Sequence, residues 1–220
     1  MTLPAQITAT TRDTGADAVA AATRRLIDAV VRAGSAMDAL AGDLVAALDR
    51  LSAEIDAGAP DSSTRMADIW TSAGHRRHDP CCGTENPIAP PLVLHQLADG
   101  SVIGRLVLGL PYQGPPGLVH GGISALLLDH TLGLANSRAG TPGVTADLRL
   151  RYLRPVPLFS ELTITARRLS AEGRKLFAEG AISVDGEVCV QAEGLWITTP
   201  RTRYRPDFED IFDEAQEKRQ

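Results

Sequence analysis

One stretch of this 220-residue chain stands out, Gly117-Leu118-Val119-His120-Gly121-Gly122-Ile123-Ser124-Ala125-Leu126-Leu127-Leu128-Asp129-His130. After the two glycines the stretch is apolar on every side of a helix and contains no proline, a pattern typical of a fully buried helix. A carboxylate in such a helix is expensive to bury unless something uses it. Asp129 is therefore the first candidate functional residue.

The two ends of this stretch supply different chemical groups. Gly121 and Gly122 leave backbone N–H groups bare at the positive end of the helix dipole and let a ligand approach closely. Such donors and a carboxylate are the parts needed to hydrolyse an acyl compound. Gly122 and Asp129 are seven residues apart, about 10 Å along a helix, so one carbonyl carbon cannot touch both. The spacing predicts a two-fold dimer whose sites are shared between the subunits.

Further motifs extend this pattern over about Asp79 to Ile197. They are Gln113-Gly114-Pro115-Pro116-Gly117, Arg151-Tyr152-Leu153-Arg154-Pro155, Gly173-Arg174-Lys175, Asp185-Gly186 and Ala192-Glu193-Gly194. With the His-Gly-Gly and Asp129, this ordered set resembles the hotdog-fold acyl-CoA thioesterases, in the phenylacetyl-CoA thioesterase-like branch of the 4-hydroxybenzoyl-CoA thioesterase superfamily. The resemblance implies an α+β hotdog fold, an antiparallel sheet wrapped around a long central helix. It also implies hydrolysis of acyl-CoA thioesters to free acid and coenzyme A.

The resemblance assigns roles to individual residues. The backbone N–H of Gly121, with Gly122 beside it, polarises the thioester carbonyl. Asp129 of the partner subunit acts as general base or nucleophile. Gln113 is the candidate for an amide that orients substrate or water, and Thr145 is the nearest match to a hydroxyl that recurs on the strand after the helix.

Two histidines flank these residues. His120 opens the helix, where it either bonds backbone groups and shapes the loop or, in the less favoured reading, transfers a proton itself. His130 points about 100° away from Asp129 around the helix, so we expect a structural role for it.

The candidates for binding coenzyme A phosphates are the cations Arg151 and Arg154 and the segment Gly173-Arg174-Lys175, which has the better claim because the resemblance extends there. The alternative is a solvated charged surface. Coenzyme A is part of the substrate, and no separate cofactor is expected. His75, His78, Cys81 and Cys82 lie within eight residues, but adjacent cysteines are poor ligands for one tetrahedral ion, so loop packing is favoured and no metal is expected.

Composition narrows the class of protein. The net charge of −5 argues against a nucleic-acid-binding surface. Three cysteines imply no disulfide framework and fit a reducing cytoplasm. No signal peptide and no membrane-spanning stretch are apparent, so a cytoplasmic protein without membrane contacts is expected.

The chain divides into three predicted parts. Residues 1–60 form an N-terminal helical hairpin extension, 61–200 the hotdog domain, and 201–220 a charged tail. The hairpin comprises Ala16–Ala33 and a second amphipathic helix with Met37, Leu40, Leu44, Leu48, Leu51 and Ile55 on one face. We expect this arm to cover a sheet or extend the dimer; a docking site for another protein is the alternative, and mixed charges disfavour a membrane surface.

Shorter predictions complete the pattern. Met1–Thr11 is expected to be disordered, Arg65–Trp70 a helical turn, and Asp207–Lys218 a short helix or tail. The predicted strands are Leu92–Leu97, Val102–Leu110, Val144–Tyr152, Leu162–Leu169, Leu176–Val184 and Val188–Ile197, the third with Val144, Ala146, Leu148, Leu150 and Tyr152 on its buried face.

Two other functions remain open for a homodimer, or dimer of dimers, of this kind. One is a hotdog hydratase or dehydratase acting on acyl thioesters, although glycines and a lone carboxylate suit attack on a carbonyl better. The other is a non-catalytic acyl-CoA-binding or scaffolding dimer, in which the helical arm recruits a partner.

Overall fold

A computed structural model describes residues 5–65 and 77–198. Within these residues seven strands form one antiparallel sheet in the order β1-β2-β3-β5-β6-β7-β4. The strands are β1 (Ala5–Gln6), β2 (Val93–Gln96), β3 (Val102–Val107), β4 (Val144–Tyr152), β5 (Glu161–Glu172), β6 (Lys175–Val184) and β7 (Glu187–Ile197). The helices are α1 (Gly15–Ala33), α2 (Ala41–Asp56) and α3 (Gly121–Arg138). The predicted sheet around a long helix, with an N-terminal helical region, is present.

Helix α3 packs mainly across β5 and β6. Leu127, Leu128 and Leu132 are fully buried between the helix and the sheet. Burying each leucine contributes about 1.5–3 kcal/mol, so this layer is the main source of the domain's stability. The prediction of a fully buried helix is wrong for the single chain, because Gly122 is exposed and Asp129 only half-buried. One apolar side of α3 is left open.

Strand β4 departs from the predicted pattern of one buried face. It forms one end of the sheet and pairs only with β7, and its end residues Val144 and Tyr152 are 41% and 56% exposed. Leu148 and Leu150 still pack against the core. The register shifts between Thr145 and Asp147, which marks a β-bulge. A bulge inserts one extra residue and breaks strict alternation, which is why the sequence pattern failed there.

Other strand predictions need smaller corrections. Strand β5 continues to Glu172, past the predicted end at Leu169, because it forms a long hairpin with β6. Strand β3 ends at Val107, and a 3-10 helix over Leu110–Tyr112 follows. Proline at the second position of that helix has no N–H to give to a ladder. Ala5–Gln6 is a strand paired with β2, so the predicted disorder of the N-terminus is wrong there.

The N-terminal region is helical, as predicted, but its second helix does not cover the sheet of its own chain. A 3-10 helix over Gly34–Leu40 joins α1 to α2, and α2 buries no residue. Its apolar side chains are exposed in the single chain, among them Leu40, Leu44, Leu48, Leu51 and Ile55. Helix α1, in contrast, packs on the sheet domain through buried Ala20 and its contact with the 3-10 helix over Leu110–Tyr112.

A buried ion-pair network fastens the start of α1 to the loop that precedes β2. The Asp17 carboxylate is fully buried and accepts hydrogen bonds from the Arg77 guanidinium, from the Arg12 backbone N–H at 2.7 Å and from the Thr84 hydroxyl at 3.2 Å. Glu85 binds the Arg77 Nε at 2.7 Å. Burial by itself raises the pKa of Asp17, but the hydrogen bonds from Arg77 and Arg12 outweigh it and lower the pKa to about 2.

Several predictions fall on residues outside the described ranges. These are most of Arg65–Trp70, the tail Asp207–Lys218 and His75. Among the helices that the structure does describe, none has the length and apolar character needed to cross a membrane.

The network makes a stability prediction. Replacing the buried carboxylate, Asp17→Asn, removes one of the two carboxylates that pair with Arg77 and should lower the free energy of unfolding by about 2–4 kcal/mol near neutral pH. The pKa of Asp17 lies below the ordinary 3.8, so the carboxylate stabilises the fold above that pH and the effect is lost as the pH falls towards about 2. Urea denaturation at several pH values measures this.

The matched control is Asp28→Asn. Asp28 also lies on α1, but its side chain is 44% exposed and pairs with Arg32 one turn along. We expect it to change stability by less than about 0.5 kcal/mol. Equal losses for the two variants, or a pH-independent difference between Asp17→Asn and wild type, would contradict the role of the network.

Candidate active site

The N-terminus of α3 is capped by His120. This residue has extended backbone geometry, with φ −62° and ψ 135°, and its Nδ1 accepts the backbone N–H of Gly122 at 3.0 Å. An Nδ1 that accepts a hydrogen bond leaves the ring proton on Nε2. The structure therefore favours the backbone-bonding role of His120. It also corrects the expectation of a second bare donor, because the Gly122 N–H is already engaged.

The backbone N–H of Gly121 is differently placed. It donates to no other group within residues 5–65 and 77–198. The next peptide, between Gly121 and Gly122, is held from β4, because the Tyr152 hydroxyl donates to the Gly121 carbonyl oxygen at 2.9 Å. Tyr152 and the His120 ring thus hold the Gly121–Gly122 peptide, which directly follows the Gly121 N–H donor. The sequence predicted no role for Tyr152 beyond its place in the motif Arg151-Tyr152-Leu153-Arg154-Pro155. The signal that could have identified it is its polar hydroxyl on the strand face that was expected to be buried.

Asp129 lies on the open side of α3 and faces β4. Its Oδ1 accepts a hydrogen bond from the Thr145 hydroxyl at 2.8 Å. Regular alternation would have put Thr145 on the face away from the helix; the bulge after it turns the side chain towards Asp129. This bond fixes one carboxylate oxygen and leaves the other for a ligand. The structure brings these two predicted residues together.

Within one chain the donor and the carboxylate do not meet. Helix α3 is continuous from Gly121 to Arg138, so Gly121 and Asp129 are about 12 Å apart along its axis. A single chain therefore holds two half-sites, one with Gly121 and Tyr152 and the other with Asp129 and Thr145.

Gln113 belongs to the loop that leads into α3. Its side-chain Oε1 accepts the backbone N–H of Gly117 at 3.0 Å, and the residue is exposed. The amide oxygen thus closes the turn before His120. The amide nitrogen remains a donor that can meet a substrate or a water.

The structure does not gather the predicted coenzyme A cations into one patch. Arg151 lies at the Tyr152 end of β4. Lys175 lies at the opposite end of the sheet's strands, because Ile197 of β7 pairs with Lys175 on one side and with Val144 of β4 on the other. Arg154 is held by Glu187 at 3.2 Å and by the carbonyl of Val188.

The Gly173-Arg174 hairpin is partly structural. Gly173 has a positive φ of 57° in the two-residue turn between β5 and β6, and the Arg174 Nε donates to the Thr198 carbonyl at 2.9 Å. Lys175 and Arg151 form no ion pair in the part of the chain that the structure describes. They are the cations best able to bind an added phosphate.

The cysteine-rich loop packs beside the start of α3. Cys81 is buried, and its Sγ lies 3.8 Å from the carbonyl oxygen of Leu126. Burial raises the pKa of the Cys81 thiol far above its ordinary value, so this cysteine is an inert packing residue. His130, expected to be structural, points at Cys82 in the same loop.

Comparison with known proteins decides the family. Residues 116–191 match the family model described as thioesterase superfamily, and residues 7–64 match that of the N-terminal helical domain of hypothetical protein RHA1_ro05818. The crystal structure of protein RHA08564, a thioesterase superfamily protein, is 44% identical, covers 88% of this chain and 96% of that one, and has a TM-score of 0.80. This chain belongs to the thioesterase superfamily. The predicted family and the hotdog fold are confirmed.

Curated relatives match about two fifths of this chain. Acyl-coenzyme A thioesterase THEM4 of Rattus norvegicus is 38% identical over 91 residues, which are 40% of this chain and 39% of that protein. Acyl-coenzyme A thioesterase 13 of Homo sapiens is 32% identical over 87 residues, 39% of this chain and 61% of that protein. The chain thus spans about two fifths to three fifths of the length of these relatives.

The cap makes a prediction about the start of α3. Replacing His120 by alanine removes the acceptor for the Gly122 N–H and should lower the free energy of unfolding by about 1 kcal/mol. His120→Asn should restore most of it, since an asparagine oxygen caps the same helix position well. Urea denaturation of the three proteins decides this, and identical stabilities would show that His120 does not act as a cap.

Proposed function

We propose that this protein hydrolyses acyl-CoA thioesters to the free acid and coenzyme A, at two sites shared between the subunits of a homodimer. The observation that carries the proposal is the pair of complementary half-sites on α3: an unengaged N–H at Gly121 and a half-buried carboxylate at Asp129. The names of the curated relatives agree with this substrate class.

The carbonyl oxygen of the thioester accepts the Gly121 N–H. Negative charge develops on this oxygen during attack, and a donor fixed at a helix N-terminus stabilises that charge without reorganising. Tyr152 binds the carbonyl of the following peptide, between Gly121 and Gly122, and so fixes the backbone directly after the donor. Loss of such a donor costs about 100–1000-fold in turnover.

Asp129 of the partner subunit supplies the attack. It either takes a proton from a water molecule that adds to the carbonyl carbon, or adds to that carbon itself to form an anhydride that water then hydrolyses. In both routes the C–S bond breaks and the thiolate of coenzyme A leaves and is protonated. The Thr145 hydroxyl orients the carboxylate throughout.

The uncovered part of the fold supports the dimer. Helix α3 is apolar around its circumference, yet the sheet of its own chain covers only one side. Strand β4 at the end of the sheet offers unpaired backbone groups next to that open side. A two-fold partner packed there covers both features and places its Asp129 opposite Gly121. Lys175 and Arg151 are the proposed contacts for coenzyme A phosphates. Their charge-assisted hydrogen bonds contribute most to binding where the contact is partly buried.

The first activity prediction concerns the carboxylate. Asp129→Asn should lower thioesterase turnover by about 100-fold or more, the range that loss of a general base gives, while the fold survives. Thiol release from acyl-CoA esters of short, long and aromatic acids measures this. The matched control is Asp147→Asn on β4, a 52% exposed residue paired with Arg149, which should keep turnover near that of wild type. Near-normal turnover of Asp129→Asn would overturn the catalytic role of Asp129, whereas no turnover by wild type on any of these esters would favour a binding protein.

The second activity prediction concerns the donor and the shared site. Gly121 is the first residue of α3, where proline is tolerated, and His120 already has the extended backbone that precedes a proline. Gly121→Pro therefore deletes the N–H with little cost to the helix and should abolish most activity. Gly121→Ala keeps the N–H, and its added Cβ would lie 3.4 Å from the Tyr152 hydroxyl, an ordinary contact, so it should stay active.

Mixing the two inactive proteins tests sharing. A dimer of one Gly121→Pro subunit and one Asp129→Asn subunit carries both lesions in one site and an intact pair in the other. Full exchange of an equal mixture should recover about a quarter of wild-type activity, since half of the dimers are mixed. No recovery, with mixed dimers verified by native mass spectrometry, would place each site within one chain.

A further inference from the structure

A second cluster of reactive side chains lies one residue along α3 from Asp129. The Cys82 Sγ is 3.2 Å from His130 Nε2 and 3.8 Å from Asp79 Oδ1, and His130 Nδ1 is 3.5 Å from the same carboxylate oxygen. Asp79 is buried, and the Cys82 and His130 side chains are partly covered. The thioester chemistry above uses none of these groups.

The geometry does not fit a cysteine nucleophile activated by a histidine. Such a relay needs the thiol and the carboxylate on opposite ring nitrogens, whose lone pairs point away from each other. In that arrangement the sulfur and the carboxylate oxygen would stand at opposite ends of the imidazole. Here they are only 3.8 Å apart, on one side of the ring.

The same distances fit donors around a common centre. Zinc bonds of about 2.3 Å to sulfur and 2.0–2.2 Å to nitrogen and oxygen give tetrahedral ligand separations of roughly 3.3–3.6 Å. At the cluster the sulfur lies 3.8 Å from the Asp79 oxygen and 3.2 Å from His130 Nε2, the Asp79 oxygen lies 3.5 Å from His130 Nδ1, and one ligand atom from each of the three residues lies within 4.8 Å of the others. Thiolate, imidazole and carboxylate are also the three ligand types that Zn²⁺ accepts together.

We infer that Asp79, Cys82 and His130 form a binding site for one Zn²⁺ per chain, which ties the loop before β2 to α3. A water or another ligand takes the fourth position. A small rotation of the His130 ring points one of its nitrogens at the centre between the three donors.

The loop explains why adjacent cysteines are no obstacle. Asp79 Oδ1 accepts the backbone N–H groups of Cys81 and Cys82 at 2.8 and 3.2 Å, which curls the chain around the carboxylate. The curl sends Cys81 into the core, towards Leu126, and leaves Cys82 facing His130. Only one thiol enters the site, so the short spacing that disfavours a site with both cysteines does not apply.

The site has a structural consequence. The loop that carries Asp79 and Cys82 also carries Arg77 and Glu85 of the network that holds α1. A metal joining this loop to His130 therefore couples the N-terminal helical region to the helix that bears Asp129. Binding of Zn²⁺ should stabilise the fold whether or not the protein hydrolyses thioesters.

Metal binding to the full chain tests this directly. After removal of metal with a chelator, wild type titrated with Zn²⁺ should bind one equivalent per chain, and 100-fold excess over Kd should raise Tm by about 5–10 °C. Co²⁺ in place of Zn²⁺ should give a thiolate-to-cobalt charge-transfer band. Cys82→Ser should abolish the band, and His130→Gln and Asp79→Asn should weaken Zn²⁺ binding by about 100-fold or more, since even outer ligand partners cost 10–100-fold.

The matched control is Cys81→Ser, which changes the neighbouring thiol and should keep both the stoichiometry and the band. Binding that survives Cys82→Ser or His130→Gln, or a wild-type Co²⁺ complex without the charge-transfer band, would overturn the site. If circular dichroism shows that Cys82→Ser does not fold, the cobalt spectra of wild type and Cys81→Ser decide. In Cys81→Ser, Cys82 is the one cysteine left in this loop, so a retained charge-transfer band must come from its thiolate. None of these readouts depends on thioesterase activity.

Discussion

Helix α3 imposes the constraint on which the rest of this protein depends. Its side chains are apolar around the whole circumference, and one sheet of one chain can cover only part of a helix. Leu127, Leu128 and Leu132 use the covered side to build the core. The other side presents apolar residues and Asp129 beside the end strand β4. Burial of this open side of α3 needs a second surface. In the proposed function that surface is the open side of α3 in another subunit.

The length of the helix gives a second reason for a dimer, because it separates the two groups that the chemistry needs. A continuous helix holds the Gly121 N–H and the Asp129 carboxylate about 12 Å apart, so neither can assist the other in the same chain. Each group has its own orienting partner from β4, Tyr152 for the donor and Thr145 for the carboxylate. The strand thus prepares two half-sites, and a two-fold axis joins unlike halves into two complete sites.

The loop before β2 connects these sites to the N-terminal helical region. Its Arg77 neutralises the buried Asp17 of α1, and its Cys82 and Asp79 surround His130 of α3. Such buried polar groups are favourable only when fully paired. The exposed helix α2 contributes no comparable anchor within the single chain. The polar loop therefore attaches the extension together with the buried Ile7 and Ala20 and the pairing of β1 with β2.

The sequence by itself determined the family, the central helix and the identity of Gly121, Asp129 and Thr145 as candidates, because helix periodicity, glycine chemistry and motif spacing are local properties. It could not determine that His120 Nδ1 accepts the Gly122 N–H or that the Tyr152 hydroxyl donates to the Gly121 carbonyl. The partner of a side chain depends on its rotamer and on residues remote in sequence. A bulge in β4, invisible to alternation, decided that Thr145 faces Asp129. Only the tertiary structure could separate Cys81 from Cys82 and bring His130 to one of them, because the backbone curl around Asp79 and a contact across 48 residues decide it.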